Sequence, residues 1–161
     1  MNWDIFIKMK PVTKPINTSF RSASIQDLDQ ILFIEQRAYS QPWSEQKFVD
    51  SFNHADIDIQ LVIQDQTVAG YCLTLSSLEF VDILNICIDP DYQQQGLGRR
   101  LLDNLCKQHQ GSGRKSIMLE VRESNIVAID FYQSYGFKQI DVRKKYYSNG
   151  EDAKILRLQI D

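Results

Sequence analysis

Two glycines followed by two arginines form a candidate anion-binding loop in the middle of the chain. The residues Gln-Gln-Gly-Leu-Gly-Arg-Arg occupy positions 94–100, after the apolar run Ile83–Ile88, which is typical of a buried strand. Leucines at helical spacing follow, so a helix that begins at the glycines would present free backbone N–H groups to a phosphate. Arginines in a first helical turn oppose the helix dipole, and a bound phosphate would reverse that penalty. The alternative is an ordinary strand-to-helix turn with two solvated arginines.

A carboxylate inside another apolar run is the second candidate for chemistry. Glu120 interrupts the strand pattern Ser116–Val121, where an unpaired charge is costly to bury. One interpretation is a general base held in a partly dry cleft. The other is an ion pair with Arg122, because alternation along a strand places both side chains on one face. The sequence leaves both interpretations open.

The composition indicates one globular domain and disfavours several classes of function. The chain has 161 residues, of which 43% are hydrophobic and 24% charged, and its net charge of -3 disfavours general nucleic-acid binding. An acidic chain suits a basic protein or peptide partner instead. Its three cysteines and two histidines lack ligand spacing, so neither disulfides nor a metal cofactor are expected. No segment has the length of a membrane span or the form of a signal peptide, so we expect a cytoplasmic protein without membrane association.

The remaining patterns predict a mixed α/β domain over residues 18–161, preceded by a loosely ordered extension over residues 1–17. Strands are predicted at residues 18–22, 58–63, 68–75, 79–88, 116–121, 140–147 and 153–160. Helices are predicted after a Ser24 cap, after a Ser44 cap, from the glycines to about Gln110, and over Ile126–Tyr135 after a Ser124-Asn125 cap. The dipeptide Asn149-Gly150 predicts a tight turn between the last two strands.

The glycine loop differs from two familiar phosphate sites and resembles a third. It lacks the Gly-Lys-Ser/Thr of a P-loop, and Leu101 stands where the dinucleotide fingerprint has its third glycine. Gln93-Gln94-Gln95-Gly96-Leu97-Gly98 resembles the Gln/Arg-x-x-Gly-x-Gly/Ala signature with which the GNAT superfamily of N-acetyltransferases holds the pyrophosphate of acetyl-CoA. Three further blocks, at residues 34–45, 119–137 and 143–153, narrow the resemblance to the RimI-type ribosomal-protein alanine N-acetyltransferases.

The resemblance covers roughly Thr18 to the C-terminus and implies the GNAT fold. That fold is a mixed, twisted sheet of about seven strands, splayed at the cofactor site and flanked by about four helices. The implied reaction is direct acetyl transfer from acetyl-CoA to the N-terminal alanine amine of a basic small-subunit ribosomal protein, without a metal. Glu120 would be the general base, and Tyr132 the general acid that protonates the departing thiolate.

The same resemblance implies binding residues on both sides of the reaction. The implied cofactor-binding residues are Ile86, Cys87, Ile88, Gln94, Gln95, Gly96, Leu97, Gly98, Arg99 and Asn125. Trp43, Tyr146 and Tyr147 would enclose the substrate. Gln94 departs from the pattern, since close relatives often carry arginine there. The candidate carboxylates for contacting a basic substrate are Glu35, Glu45, Glu151 and Asp152.

Two rival functions stay open. The nearest is an acetyltransferase for other N-termini, for lysines or for small amines, although Pro42-Trp43-Ser44-Glu45 argues against small amines. The other is a CoA-binding module without catalysis, which the presence of Glu120 and Tyr132 disfavours. A covalent route through Cys87 is not expected, because no base is predicted beside it.

Overall fold

The computed structural model describes residues 17–160, so the predicted extension over residues 1–17 lies outside the described residues except for Asn17. Within residues 17–160 the chain forms one seven-stranded sheet and four α-helices. The strands are β1 (Thr18–Ser22), β2 (Ile57–Gln64), β3 (Thr67–Ser76), β4 (Phe80–Ile88), β5 (Ser116–Arg122), β6 (Lys138–Arg143) and β7 (Ala153–Gln159). The helices are α1 (Leu28–Ala38), α2 (Glu45–Phe52), α3 (Leu97–His109) and α4 (Ile126–Tyr135). The predicted fold class and its approximate numbers of strands and helices are confirmed.

The sheet opens between its two central strands. Its order is β1-β2-β3-β4-β5-β7-β6, and only the β4–β5 pair is parallel. That pair joins Phe80–Ile83 to Ser116–Leu119 and then stops, while β4 continues along β3 and β5 along β7. Leu84 has no partner at the register shift between Leu73 and Thr74, which is a β-bulge that bends β4 away from β5. The predicted splay is therefore confirmed.

Helices cover the sheet in two layers. The apolar side of α1 and α2 packs on β2 and β3, with Ile31, Phe48 and Tyr71 at its centre. The leucine stripe of α3 packs with α4 on the opposite face, where it contacts strand residues such as Ile117. Along β5 the buried residues alternate with half-buried ones, so Glu120 points away from the α3–α4 layer. No helix within the described range is long and apolar enough to cross a membrane.

Polar caps begin the helices where the sequence predicts them. Ser24 begins a short 3-10 turn, Ile25–Asp27, that leads into α1. The Ser44 hydroxyl accepts the Lys47 N–H at the start of α2, at 3.3 Å. The Asn125 side chain accepts the Ala128 N–H at the start of α4, at 3.2 Å. These side chains satisfy backbone donors that the first turn of a helix leaves without partners.

The predicted strand over residues 140–147 is wrong at its C-terminal end, because β6 stops at Arg143. Two carboxylates near the end of the next segment hold residues 144–152 as a loop. Asp152 accepts the Lys145 N–H at 2.8 Å, and Glu151 accepts the Ser124 N–H at 2.8 Å. The predicted Asn149-Gly150 turn does form, with the Gly150 N–H on the Tyr147 carbonyl at 2.8 Å, but inside this longer loop. Tyr146 and Tyr147 therefore lie in a loop rather than on a strand.

The Asp27 carboxylate at the start of α1 gives the fold a testable pH dependence. Two Arg21 nitrogens donate to it at 2.8 and 2.7 Å, and these bonds lower the pKa of Asp27 to about 2. An unfolded aspartate has a pKa of about 4, so ionised Asp27 stabilises the fold above that pH, and the contribution is lost as the pH falls through about 2.

Asp27→Asn should lower the free energy of unfolding by about 1–2 kcal/mol near neutral pH. The difference from wild type should shrink as the pH falls from about 4 to about 2, because protonation removes the same charge from the wild type. Urea denaturation at a series of pH values measures this difference. A difference that stays constant across the range would contradict the ion pair.

Candidate active site

The divergence of β4 and β5 leaves a cavity of about 520 Å³. Its walls come from both strands, from the last turn of α1, from the α1–α2 loop, from the start of α4 and from the loop over residues 144–152. The predicted site residues that line it are Trp43, Ile86, Glu120, Asn125, Tyr132 and Tyr147. Residues from six separate segments of the chain thus meet at the point where the sheet opens.

Glu120 stands at this cavity as a half-buried, charged carboxylate. Arg143 of β6 forms an ion pair with it, and the carboxylate side chain remains 29% exposed. The alternative pairing with Arg122 is wrong, although the two side chains do share a face, because Arg122 donates to Glu151 at 3.2 Å. Burial, and after it the charge of Glu120, raise the pKa of the neighbouring Asp82. Glu120 is therefore a partly exposed carboxylate that lies between Arg143 and Asp82.

Tyr132 presents a hydroxyl without a protein partner. Its ring packs against Phe131 and Phe137, with centroid distances of 5.3 and 5.5 Å, and only 8% of the residue is exposed. The hydroxyl lies at the cavity and makes no hydrogen bond to any residue in the described part of the chain. Burial raises the pKa of Tyr132, so the group is protonated at neutral pH and can donate a proton. A purely structural role explains the ring but leaves the hydroxyl unused.

The glycine loop has the form of an anion site. Gly96 caps α3 with φ 79°, a left-handed conformation that favours glycine. Among residues 17–160, the backbone N–H groups of Gln94–Arg99 make no hydrogen bond to another backbone group. Gly98 has a different role, because a Cβ there would lie 3.3 Å from the Phe131 ring, and its absence lets α3 approach α4. These unpartnered donors, together with the helix N-terminus and Arg99, can hold a pyrophosphate.

The loop is tied to α1 by an ion-pair cluster. Asp89, which is 4% exposed, accepts the Asp91 N–H at 2.8 Å and binds Arg37 Nη1 through both oxygens, at 3.1 and 3.2 Å. Arg37 also pairs with Asp91 at 2.9 Å. The last turn of α1 and the start of the loop therefore share one charged anchor.

The edge of β4 that faces the opening carries main-chain groups that can pair with an extended ligand. Asp89 donates its N–H to the Ala69 carbonyl of β3 at 2.9 Å. Because main-chain groups alternate in direction along a strand, those of Cys87 also point toward β3, and those of Ile86 and Ile88 point toward the opening. The Ile88 carbonyl accepts from Gln93 Nε2 at 3.0 Å.

The Cys87 thiol is not placed for covalent chemistry. Its side chain is 5% exposed and lies in the α1–α2 layer. Burial raises the pKa of Cys87 to about 12, which leaves little of the nucleophilic thiolate at neutral pH.

The two loop tyrosines take different positions. Tyr147 lines the cavity with Arg122 stacked on its ring, at 3.7 Å from the guanidinium carbon to the centroid. Tyr146 is 48% exposed and outside the cavity lining, and hydrogen bonding to Glu120 raises its pKa. Of the three residues predicted to enclose the substrate, Trp43 and Tyr147 thus line the cavity, while Tyr146 lies outside its lining and beside Glu120.

Most of the carboxylates proposed to contact a basic substrate are engaged elsewhere. Glu151 and Asp152 hold the loop over residues 144–152. Of the four candidates, Glu45 alone is exposed and has no ion pair with a described residue. Glu35 is inside the protein, with 1% of the residue exposed. Helical periodicity predicts part of this, because Glu35 lies four residues after Ile31 and therefore on the apolar stripe of α1. No group of three or more potential metal ligands is found in the part of the chain that the structure describes.

Comparisons with known proteins agree with this arrangement. The sequence profile of the acetyltransferase (GNAT) family matches residues 28–137. The chain is 39% identical over 142 residues to the [ribosomal protein bS18]-alanine N-acetyltransferase of Escherichia coli K12, covering 86% of this chain and 95% of that protein. The corresponding protein of Haemophilus ducreyi is 35% identical over 140 residues, covering 84% and 95%. The crystal structure of the ribosomal-protein-S18-alanine N-acetyltransferase from Escherichia coli superposes with a TM-score of 0.83 at 37% identity, over 90% of this chain and 95% of that one.

Two tyrosine-to-phenylalanine changes should separate a free hydroxyl from a structural one. Tyr132→Phe should change the free energy of unfolding by less than about 0.5 kcal/mol, because no protein hydrogen bond is lost. Tyr71→Phe should cost about 1–3 kcal/mol, because the Tyr71 hydroxyl donates to buried Glu35. Urea denaturation measures both. A large loss of stability in Tyr132→Phe would favour the structural role for its hydroxyl.

Proposed function

Because the chain belongs to the acetyltransferase (GNAT) family, we propose that it transfers the acetyl group of acetyl-CoA to the N-terminal alanine amine of ribosomal protein bS18. One observation carries the proposal. A cavity lined by an accessible carboxylate and a free tyrosine hydroxyl, one wall of which is the strand that leads to the anion loop, occurs in a chain that matches bS18-alanine N-acetyltransferases over nearly their whole length. The proposed place of the reaction is the cytoplasm, where ribosomal proteins are made.

The proposed cofactor site runs from the loop to the cavity. The N–H groups of Gln94–Arg99 would hold the pyrophosphate, and the charge of Arg99 would strengthen binding. The open edge at Ile86 and Ile88 would pair with the pantetheine arm, as one strand pairs with another. Asn125 lines the same cavity, and since its oxygen caps α4, its amide N–H₂ is the group available to that arm. Acetyl-CoA supplies the activated thioester.

The proposed chemistry needs one proton acceptor and one proton donor. The substrate α-ammonium has a pKa near 8, so a modest base such as Glu120, acting directly or through water, can take its proton near neutral pH. The amine nitrogen forms a bond to the carbonyl carbon, and the carbon–sulfur bond breaks. The nitrogen loses its second proton to solvent, and solvent restores the proton that Tyr132 gives up. Tyr132 then donates its proton to the departing sulfur. Arg143 is 52% exposed, so it can move away from Glu120 when the ammonium arrives.

The cavity walls favour a chain end over an internal side chain. Trp43 and Tyr147 line the cavity from the α1–α2 loop and from the loop over residues 144–152, so the acceptor would have to enter on an extended segment rather than from a folded surface. A chain end with a small first residue meets that condition. Because three of the four candidate carboxylates are engaged within the protein, we expect selection for a basic substrate to depend only weakly on salt.

Glu120→Gln should lower the turnover number roughly 10²- to 10⁴-fold, the usual contribution of a positioned base. The deficit should shrink as the pH rises, because more of the substrate amine is then already deprotonated. Acetyl-CoA affinity, measured by calorimetry, should be retained. The control is Arg143→Gln, which removes the ion-pair partner but leaves the carboxylate. An equal loss of turnover in both variants would mean that turnover depends on the ion pair and not on Glu120 as a base.

The acceptor is tested with three peptides. They are an alanine-first basic peptide, the same peptide with its N-terminus blocked and its lysines free, and an alanine-first acidic peptide. We expect acetylation of the first, none of the second and poor acetylation of the third, measured by mass spectrometry. Efficient modification of the blocked peptide would assign the protein to lysine acetylation. Tight acetyl-CoA binding without transfer to any peptide would favour the non-catalytic alternative.

A further inference from the structure

Glu35 is the most deeply buried carboxylate in the described part of the chain, and the proposed reaction gives it no role. It lies in the last turn of α1, at the wall of the cavity, with 1% of the residue exposed. An ionised carboxylate is costly to bury unless several hydrogen bonds compensate it. A carboxylate buried at the cavity wall at such a cost is expected to hold neighbouring segments of the chain in place.

Three neutral donors from three different segments converge on Glu35. The Trp43 N–H donates to Oε1 at 2.8 Å. The Tyr71 hydroxyl donates to Oε2, and Asn85 Nδ2 donates to the same oxygen at 3.3 Å. These donors come from the α1–α2 loop, from β3 and from β4. Both oxygens of one side chain therefore join the loop to the central strands.

The groups that Glu35 joins are the walls of the acceptor end of the cavity. Trp43 lines the cavity, and its ring packs on Phe48 at a centroid distance of 5.5 Å. Asn85 directly follows the Leu84 bulge, where β4 turns away from β5. One turn after Glu35, Tyr39 caps the C-terminal end of α1, and its hydroxyl donates to the Ile86 carbonyl at 2.6 Å. The same helix end is therefore bonded to two consecutive residues of β4.

We infer that Glu35 is a positioning residue that sets the distance between Trp43 and β4, and thereby the width of the pocket for the first residue of the substrate. The inference rests on the proposed function. A carboxylate presents acceptors on both oxygens, which suits three donors. A glutamine presents one acceptor and one donor, and its N–H₂ would face either Trp43 N–H or Asn85 Nδ2, both of which are donors. Glu35→Gln should therefore loosen one wall of the pocket.

The experiment compares Glu35→Gln with Asp27→Asn, the matched change of a buried carboxylate at the other end of α1. Alanine-first and leucine-first peptides are assayed at saturating acetyl-CoA. Glu35→Gln should raise the KM of the alanine-first peptide about tenfold and reduce the preference for alanine over leucine about tenfold, with the KM of acetyl-CoA changed less than about twofold. Asp27→Asn should lose stability and keep all three values. Wild-type KM and selectivity in folded Glu35→Gln would overturn the inference.

A spectroscopic measurement keeps the inference separate from the proposed function. The chain has two tryptophans, Trp3 and Trp43, so a Trp3→Phe background leaves Trp43 as the sole tryptophan. In that background, Glu35→Gln should shift the emission of Trp43 to longer wavelength, and Tyr71→Phe should shift it less. Tyr71→Phe also serves if Glu35→Gln does not fold. An unchanged Trp43 emission in both variants would refute the positioning role, whereas failure of wild type to acetylate any N-terminus would refute only the proposed function.

Discussion

The site depends on the separation of two parallel strands. β4 and β5 pair through four residues each, and the Leu84 bulge then turns β4 away. A closed sheet would use the main-chain groups of Ile86 and Ile88 to pair with a neighbouring strand. Because the sheet opens, the N–H groups of Ile86 and Ile88 face the opening, while their carbonyls accept from the Tyr39 and Gln93 side chains. Side chains from both strands face a common space. The candidate anion loop follows β4 along the chain, so the strand that forms one wall of the opening leads to that loop.

Two glutamates line the same cavity, but they differ in exposure, in hydrogen-bond partners and in the role that each can have. Glu120 is partly exposed and paired with a solvent-accessible arginine, which suits a group that exchanges a proton. Glu35 is buried and bound by three neutral donors, which suits a group that holds structure. Because the residue type is the same, the difference must come from the partners: one exposed arginine suits a proton-exchanging group, and three buried donors suit a structural group.

Local sequence patterns predicted the helices and strands well. Strand ends, ion-pair partners and the burial of polar groups depend on long-range contacts, which local patterns do not contain. The capping residues Ser44 and Asn125 and the alternation along β5 are encoded within a few neighbouring residues, so their structures follow from the sequence. The end of β6 depends on Asp152, which binds Lys145 across the loop, and on Glu151, which ties the loop to Ser124. The partner of Glu120 lies on another strand, because Arg143 reaches it across β7. The burial of Glu35 depends on donors from β3 and β4, and periodicity alone shows only the face on which it lies.

The central claim is that the opening between β4 and β5 receives a protein N-terminus. The most direct measurement is the intact mass of small-subunit ribosomal proteins incubated with this protein and acetyl-CoA, followed by fragmentation to locate the acetyl group. The account predicts a single acetyl group on bS18, on its N-terminal alanine, and none when the Glu120→Gln variant replaces the wild type for the same time. Acetyl groups on lysine side chains, or on many N-termini with equal efficiency, would contradict it.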